Sequence, residues 1–307
     1  PNIDINIKCG NSLVSRFAID ADLKQALKKS KWTIDSYRIA VDTYRNAESK
    51  EQKREMERLI ADIKSDFRSE ISLNDPKVKK LRKLSGDLYQ MTNQGQLFEM
   101  SKKEKADWNK KVQQLTEETK KLETEIEEIK ANKIFENAFE WRFEFPEVLN
   151  DDGDFVGFDV VIGNPPYMRV QEIQASQPTQ KLYYESQYQN AKAAYDLANI
   201  FFELAVNISS IKSNNSYIFP HKFFNAASSE VFRNYLKQGQ YIDEIAHFGA
   251  NMIFEDADTY TCVAQFSKKS SQGFYFQRFP FKSDFKNLML DNSKYTFITY
   301  EMIDKAS

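Results

Sequence analysis

The run Phe158-Asp159-Val160-Val161-Ile162-Gly163-Asn164-Pro165-Pro166-Tyr167 divides in two. Its first six residues have the length, apolar character and β-branching of a buried central strand, and the prolyl pair ends it. Toward the C-terminus the patterns alternate. A helix is expected over 196–211, with Leu197, Ile200, Phe201, Leu204 and Ile208 on one face, then a strand at 216–219, a helix at 228–237 and strands at 241–248 and 261–267. Strands alternating with helices predict an α/β fold with a doubly wound sheet, and the two consecutive strands predict an antiparallel edge. The tail after Gln272 is too short to assign. Upstream, residues 139–145 alternate and stop at Pro146, which reads as a strand or extended edge, and residues 5–13 read as a short strand with a Gly10-Asn11 turn.

Between these parts, residues 19–133 are rich in Lys, Glu, Gln, Asp and Arg and carry one Pro and two Gly, the composition of helices. Asn74-Asp75-Pro76 stops one helix and starts the next, and Thr92-Asn93-Gln94-Gly95 closes another, so four helices are expected. Ser101 and Glu104 make a capping box. After it, Trp108, Val112, Leu115, Thr119, Leu122, Ile126 and Ile129 recur at spacings of 4 and 3, a coiled-coil seam. Met56, Ile60, Ile63 and Phe67 offer the apolar stripe to receive it in an antiparallel hairpin. Both charge signs are interspersed, which fits the solvated faces of an inserted hairpin better than a basic DNA-contacting arm.

The 307 residues carry 43 Lys plus Arg against 45 Asp plus Glu, so binding of a polyanion must come from a local patch. Cys9 and Cys262 are far apart and form no CxxC, which excludes a zinc ribbon or disulfide scaffold and fits a reducing cytosol. No apolar run reaches the length of a membrane span, and no export leader is present. The chain starts at Pro1, as expected of a piece of a longer protein. Aromatics at 14%, including 24 Phe, call for a large core or a place to stack bases.

In an open α/β sheet ligands sit beyond the carboxyl ends of strands, where Asn164-Pro165-Pro166-Tyr167 lies. The tetrad suits a grip on a planar amine. Asn164 offers a carbonyl acceptor, the prolyl pair fixes the backbone and leaves the Pro165 carbonyl unpaired, and Tyr167 supplies a stacking face. A Pro-terminated strand with a surface Tyr fits the bare tetrad equally well. His221 and His247 read as polar residues at strand ends and not as metal ligands, and Lys222 as a surface lysine with a phosphate contact as the alternative.

Taken whole, FDVVIGNPPY resembles motif IV of the amino-methyltransferases that use S-adenosylmethionine. The segments Tyr195–Phe201, Tyr217–Phe224, His247–Phe254 and Tyr260–Val263 resemble the stretches C-terminal to motif IV in those enzymes, and Phe145-Pro146-Glu147-Val148 is similar to the lead-in of the large bacterial restriction-modification enzymes of the gamma class. The resemblance implies a partial Rossmann-like methyltransferase sheet with a long helical insertion. The expected divisions are 1–18, core strand and turn; 19–135, insertion; 136–272, catalytic core; and 273–307, the start of a target-recognition region. It further implies adenine-N6 methylation of double-stranded DNA in the bacterial cytoplasm, with no membrane partner and a nuclease domain fused upstream in the full-length protein. Asn164, Pro165, Pro166 and Tyr167 are then catalytic, and Tyr167 and Phe254 sandwich a flipped adenine. Asn11, Ser12 and Asn164 contact S-adenosylmethionine, Asn11 standing where the family has an acidic residue. No cysteine lies near the tetrad, against chemistry through a covalent cysteine adduct. The nine glycines include no pair two apart, so the loop that holds the methionine is missing and the fragment is expected to be inactive. Methylation of RNA or of a protein glutamine, or a noncatalytic helical scaffold, are the alternatives.

Overall fold

Capping chemistry delimits the helices in the computed structural model, which describes residues 3–20, 24–93, 101–131, 133–254, 259–280 and 294–303. The chain divides into two units, the first made of Pro1–Gly10, Asp20–Asn137 and Arg142–Asp154. Within it α1 (Lys24–Leu27) is a single turn, and α2 (Ile34–Arg45) and α3 (Lys50–Asn74) start at Thr33 and Ser49, whose side chains accept from Ser36 and Gln52 N–H. Asp75 Oδ1 accepts from Lys77 N–H at 2.7 Å to open α4 (Pro76–Asn93). The predicted box opens α5 (Lys102–Ala131), with Ser101 N–H donating to Glu104 at 2.9 Å and Glu104 N–H to Ser101 Oγ at 3.3 Å. The expected stop at Gln94-Gly95 and the side chain of Ile129 lie outside the described residues.

The seam of α5 meets a different partner from the one its spacing suggested. It packs on α4, whose Val78, Leu81, Leu88 and Met91 are half-buried, while α3 packs on α2. The turn between Arg45 and Lys50 folds α2 back so that Ile34, Tyr37, Val41 and Tyr44, buried at spacings of 3 and 4, take the stripe of Ile60, Ile63 and Phe67; Met56 is half-buried. Tyr37 meets Phe67 edge-on at 6.2 Å and donates its hydroxyl to the Phe143 carbonyl at 2.5 Å. Here residues 139–145 depart from the expected strand. Trp141–Glu144 is a helical turn, α6, followed by a 3-10 turn at Pro146–Val148, held by the buried Arg142 guanidinium on the Gly153 carbonyl. Local alternation lost to that buried hydrogen bond.

The second unit comprises Asn11–Ile19, Ala138–Trp141 and Phe155–Ser307. Its sheet runs in the order β1 (Phe158–Gly163), β2 (Ser209–Pro220), β4 (Thr261–Phe266), β3 (Ile242–His247), β5 (Gly273–Arg278), β6 (Thr296–Thr299). β1 and β2 are parallel, as are β3 and β5, and β4 runs antiparallel to both its neighbours. β1, β2, β3 and β5 therefore point one way and present their carboxyl ends along one edge. β3 and β4 pair antiparallel as expected, but inside the sheet and not at its margin. β1, expected to be central and buried, pairs only with β2 among the described residues, leaving Val160 and Ile162 58% and 78% exposed. The expected strand over 5–13 is absent: Ile3–Asn6 is a 3-10 turn, and Asn11 makes only an isolated bridge to Ala138. The residues after Gln272 contribute β5 and β6.

Helices α7 (Val170–Ser176), α8 (Pro178–Gln187), α9 (Leu197–Ile208), α10 (Glu230–Gly239) and α11 (Tyr300–Ile303) complete this unit. α9 is buried on nearly every face, and its Phe202 joins Phe219, Phe232 and Phe266 in the core at centroid distances of 4.1 to 6.1 Å. The polar Asn215, 3% exposed, repairs an irregularity between β1 and β2: its carbonyl accepts Val161 N–H and Ser209 Oγ, and its amide donates to Ser213. Gly157 makes the entry to β1 possible, since its φ of +87° and a backbone contact of 2.5 Å at Ser209 exclude a Cβ.

Candidate active site

The parallel register Gly163↔Tyr217 brings the end of β1 against a buried ring, and a Cβ at Gly163 would stand 2.8 Å from Tyr217 Cε1. Only glycine lets the chain pass so close before it turns into the tetrad. Beyond it Asn164 and Pro166 are exposed and Pro165 is buried. The half-buried Tyr167 packs against the core and donates its hydroxyl to the Ile218 carbonyl at 3.2 Å. Burial, with Cys262 next in weight, pushes its phenol up to about 12, so the hydroxyl stays a donor. Among the described residues neither the Asn164 side chain nor the Pro165 carbonyl is engaged in a hydrogen bond. The loop therefore holds two free acceptors beside a ring pinned at its far end. Cys262 is buried, and burial raises its thiol far out of the nucleophilic range.

Among the described residues no hydrogen bond or ring contact joins Asn11, Ser12 or Phe254 to the tetrad. Asn11 Oδ1 accepts Leu13 N–H at 3.1 Å and its amide reaches Tyr184 Oη at 3.5 Å, while the Ser12 carbonyl takes the Trp141 indole N–H at 3.0 Å. Both are half-buried, and the Asn11 carbonyl serves a turn. No two glycines of the sequence stand two apart, so its residues do not fit the methionine end of S-adenosylmethionine. Phe254 is half-buried in the connection after β3, and among the described residues no ring contact joins it to Tyr167.

At the same edge stand His221, His247 and Lys222, which the sequence placed at strand ends and on the surface without joining them to one another. His221, His247 and Tyr260 stack, and Lys222 forms an ion pair with Asp196 at 2.8 Å. A cleft of about 480 Å³, lined by Arg169, Glu172, Tyr195, Asp196, Lys222 and Ser229, lies alongside. Its charges balance. The connection before α9 is held by the buried Glu203, whose carboxylate accepts Gln189 N–H, Asn190 N–H and the Asn190 amide, each at 2.9 Å.

A family model described as the Eco57I restriction-modification methylase matches residues 14–254. The type II restriction enzyme and methyltransferase RM.Eco57I of Escherichia coli is 28% identical over 138 residues, 45% of this chain and 14% of that protein. Among solved structures, the type IIG restriction endonuclease BpuSI superposes over 59% of this chain and 25% of its own, at 15% identity and a TM-score of 0.35. A putative class I S-adenosylmethionine-dependent methyltransferase from Listeria monocytogenes does so over 85% and 92%, at 13% identity and a TM-score of 0.30. The chain thus spans about a seventh of the curated relative it matches.

Proposed function

The chain belongs to the Eco57I restriction-modification methylase family, and from that premise we infer that it carries the amine-holding part of a DNA adenine-N6 methyltransferase whose methyl donor is S-adenosylmethionine. The observation that carries this reading is the loop after β1: two unengaged acceptors, Asn164 Oδ1 and the Pro165 carbonyl, stand beside a tyrosine ring anchored through its own hydroxyl.

An exocyclic NH2 has two hydrogens and a lone pair delocalised into the ring. Accepting both hydrogens draws electron density toward the nitrogen and fixes its direction, which are the requirements for attack on an electrophilic methyl. Inside a duplex that amine is covered, so the base must leave the stack, and the Tyr167 face offsets part of the unpairing cost. Phe254 is proposed as the opposing face, and 273–307 as the beginning of the target-recognition region. The fit of the tetrad to any planar amide keeps RNA and protein glutamine as competing acceptors.

In the full-length parent, Asn164→Ala should lower methylation of adenine in duplex DNA by on the order of a hundredfold, roughly 3 kcal/mol of transition-state stabilisation, while circular dichroism is unchanged. Wild-type methylation by that variant overturns the reading, and so does methylation of RNA or glutamine in preference to DNA.

A further inference from the structure

The carboxyl edge of the sheet carries a second assembly, made by register. His221 follows β2, His247 ends β3, and Tyr260 precedes β4. The pairings Pro220↔Thr261 and His247↔Cys262, with His221 N–H donating to the Tyr260 carbonyl at 3.1 Å, bring the three rings into file. His221 lies on His247 at 4.5 Å and 11°, and on Tyr260 at 5.6 Å and 18°. Phe224 and Phe276 abut His247 at 5.6 and 5.7 Å. The far end is open, for Tyr260 is 45% exposed.

Two stacked imidazoles repel one another when both are charged, and burial adds to the preference for the neutral forms. Gly249 N–H donates to His247 Nδ1 at 3.0 Å, leaving Nε2 to carry the proton of a neutral ring. Burial first, then repulsion from the like positive charges of His221 and Arg278, hold His247 down to about 4, and burial followed by Arg278 lowers His221. Arg278 comes from the end of β5, its Nε 3.5 Å from where a Cβ on Gly249 would stand, and it makes no salt bridge among the described residues. A rigid neutral stack with an exposed phenol face and an uncommitted guanidinium beside it has the two components that bind an unpaired nucleotide: a surface for the base and a cation for its phosphate.

Tyr167 is pinned at Ile218, and His221 lies three residues further along the same chain, about 10 Å at the rise of a strand. One nucleic-acid strand can reach both places. We propose that the Tyr260–His221–His247 stack is a platform for a second, unstacked nucleobase of the DNA, distinct from the base held at Asn164 and Tyr167, with Arg278 meeting its phosphate. This rests on the reading of the chain as a DNA-acting protein and adds a subsite to it.

The test uses the 307-residue chain and a fluorescein-labelled single-stranded oligodeoxyadenylate, with binding read by anisotropy. Tyr260→Ala should weaken binding about tenfold or more, and Tyr260→Trp should retain it. The new indole should be quenched by the oligonucleotide but not by an abasic strand of equal charge, and Arg278→Gln should flatten the salt dependence. The proposal is overturned if the wild-type chain does not bind the strand, if Tyr260→Ala binds within twofold of wild type, if Tyr260→Trp is as weak as Tyr260→Ala, or if the abasic strand quenches equally. The amine-holding reading is judged separately, by methylation in the Asn164→Ala parent. Loss of the platform with that dependence intact refutes the platform alone, and the converse result refutes the tetrad alone.

Discussion

Tyr167 separates a stacking role from a merely structural one. Replacement by Phe removes one neutral hydrogen bond, the 3.2 Å contact to the Ile218 carbonyl, worth about 0.5 to 1.5 kcal/mol net. At about 1.4 kcal/mol per factor of ten, the loss in kcat/KM should not exceed about tenfold. Replacement by Ala removes the same bond and the stacking face, a further 1 to 3 kcal/mol or so, so that variant should fall at least several-fold below Tyr167→Phe and at most about a thousandfold below wild type. The phenol adds no limb to the rate profile in the neutral range. Its folded value of about 12 lies above the unfolded value of 10.0, so its contribution to stability is complete below pH 10 and fades only as the pH rises toward 12. The assay is methyl transfer to adenine-containing duplex by the full-length parent, with thermal unfolding of each variant alongside. Equal damage from Phe and Ala, with both proteins folded, would mean that the hydroxyl matters and the ring does not, and the stacking argument would fail.

Three further outcomes can be measured directly. Gly163→Ala puts a Cβ 2.8 Å from the Tyr217 ring, which is 6% exposed and edge-packed on Phe266, and should destabilise the protein by about 1 to 3 kcal/mol; an unchanged urea midpoint would show that Tyr217 can move aside freely. His247 has a folded value of about 4 against 6.5 unfolded, so the unfolded state binds more protons between them; stability should fall as pH drops from about 6.5 to 4, and a His247→Gln variant with the same slope would remove that assignment. Isothermal calorimetry on the 307-residue chain should find S-adenosylmethionine bound more weakly than the low micromolar range, because no glycines two apart cradle the methionine; low micromolar affinity would place the cofactor on other residues.

How far each feature was legible depended on whether its cause was local. The Ser101–Glu104 box and the strands around 241–248 and 261–267 were legible because each rests on neighbours a few residues apart. The failures each involve a distant partner. Residues 139–145 alternate like a strand, yet the Arg142 guanidinium finds the Gly153 carbonyl and the backbone coils. The α5 seam records that a partner is needed without recording which, and α4 takes it because α2 has already covered α3. The same logic explains β1: Val160 and Ile162 are apolar like the residues of a covered strand, yet both stay exposed, because cover is set by what packs on the strand and not by the strand itself. Glu203 and Asn215 were equally silent, since a buried polar residue is identified only by the N–H groups folded around it. The tetrad gathers its acceptors and its ring within four consecutive residues, so the chemistry proposed for it can be spelled in one motif. The stack at Tyr260 draws its rings from positions 221, 247 and 260, and exists only because the antiparallel register of β4 against both β2 and β3 brings them level. A one-residue slip of either pairing would turn a ring to the opposite face and dissolve the stack, whereas Asn164 to Tyr167 owe their proximity to the chain itself. The two halves of the carboxyl edge are therefore separable by mutation, which is why the tetrad and the stack can be tested independently.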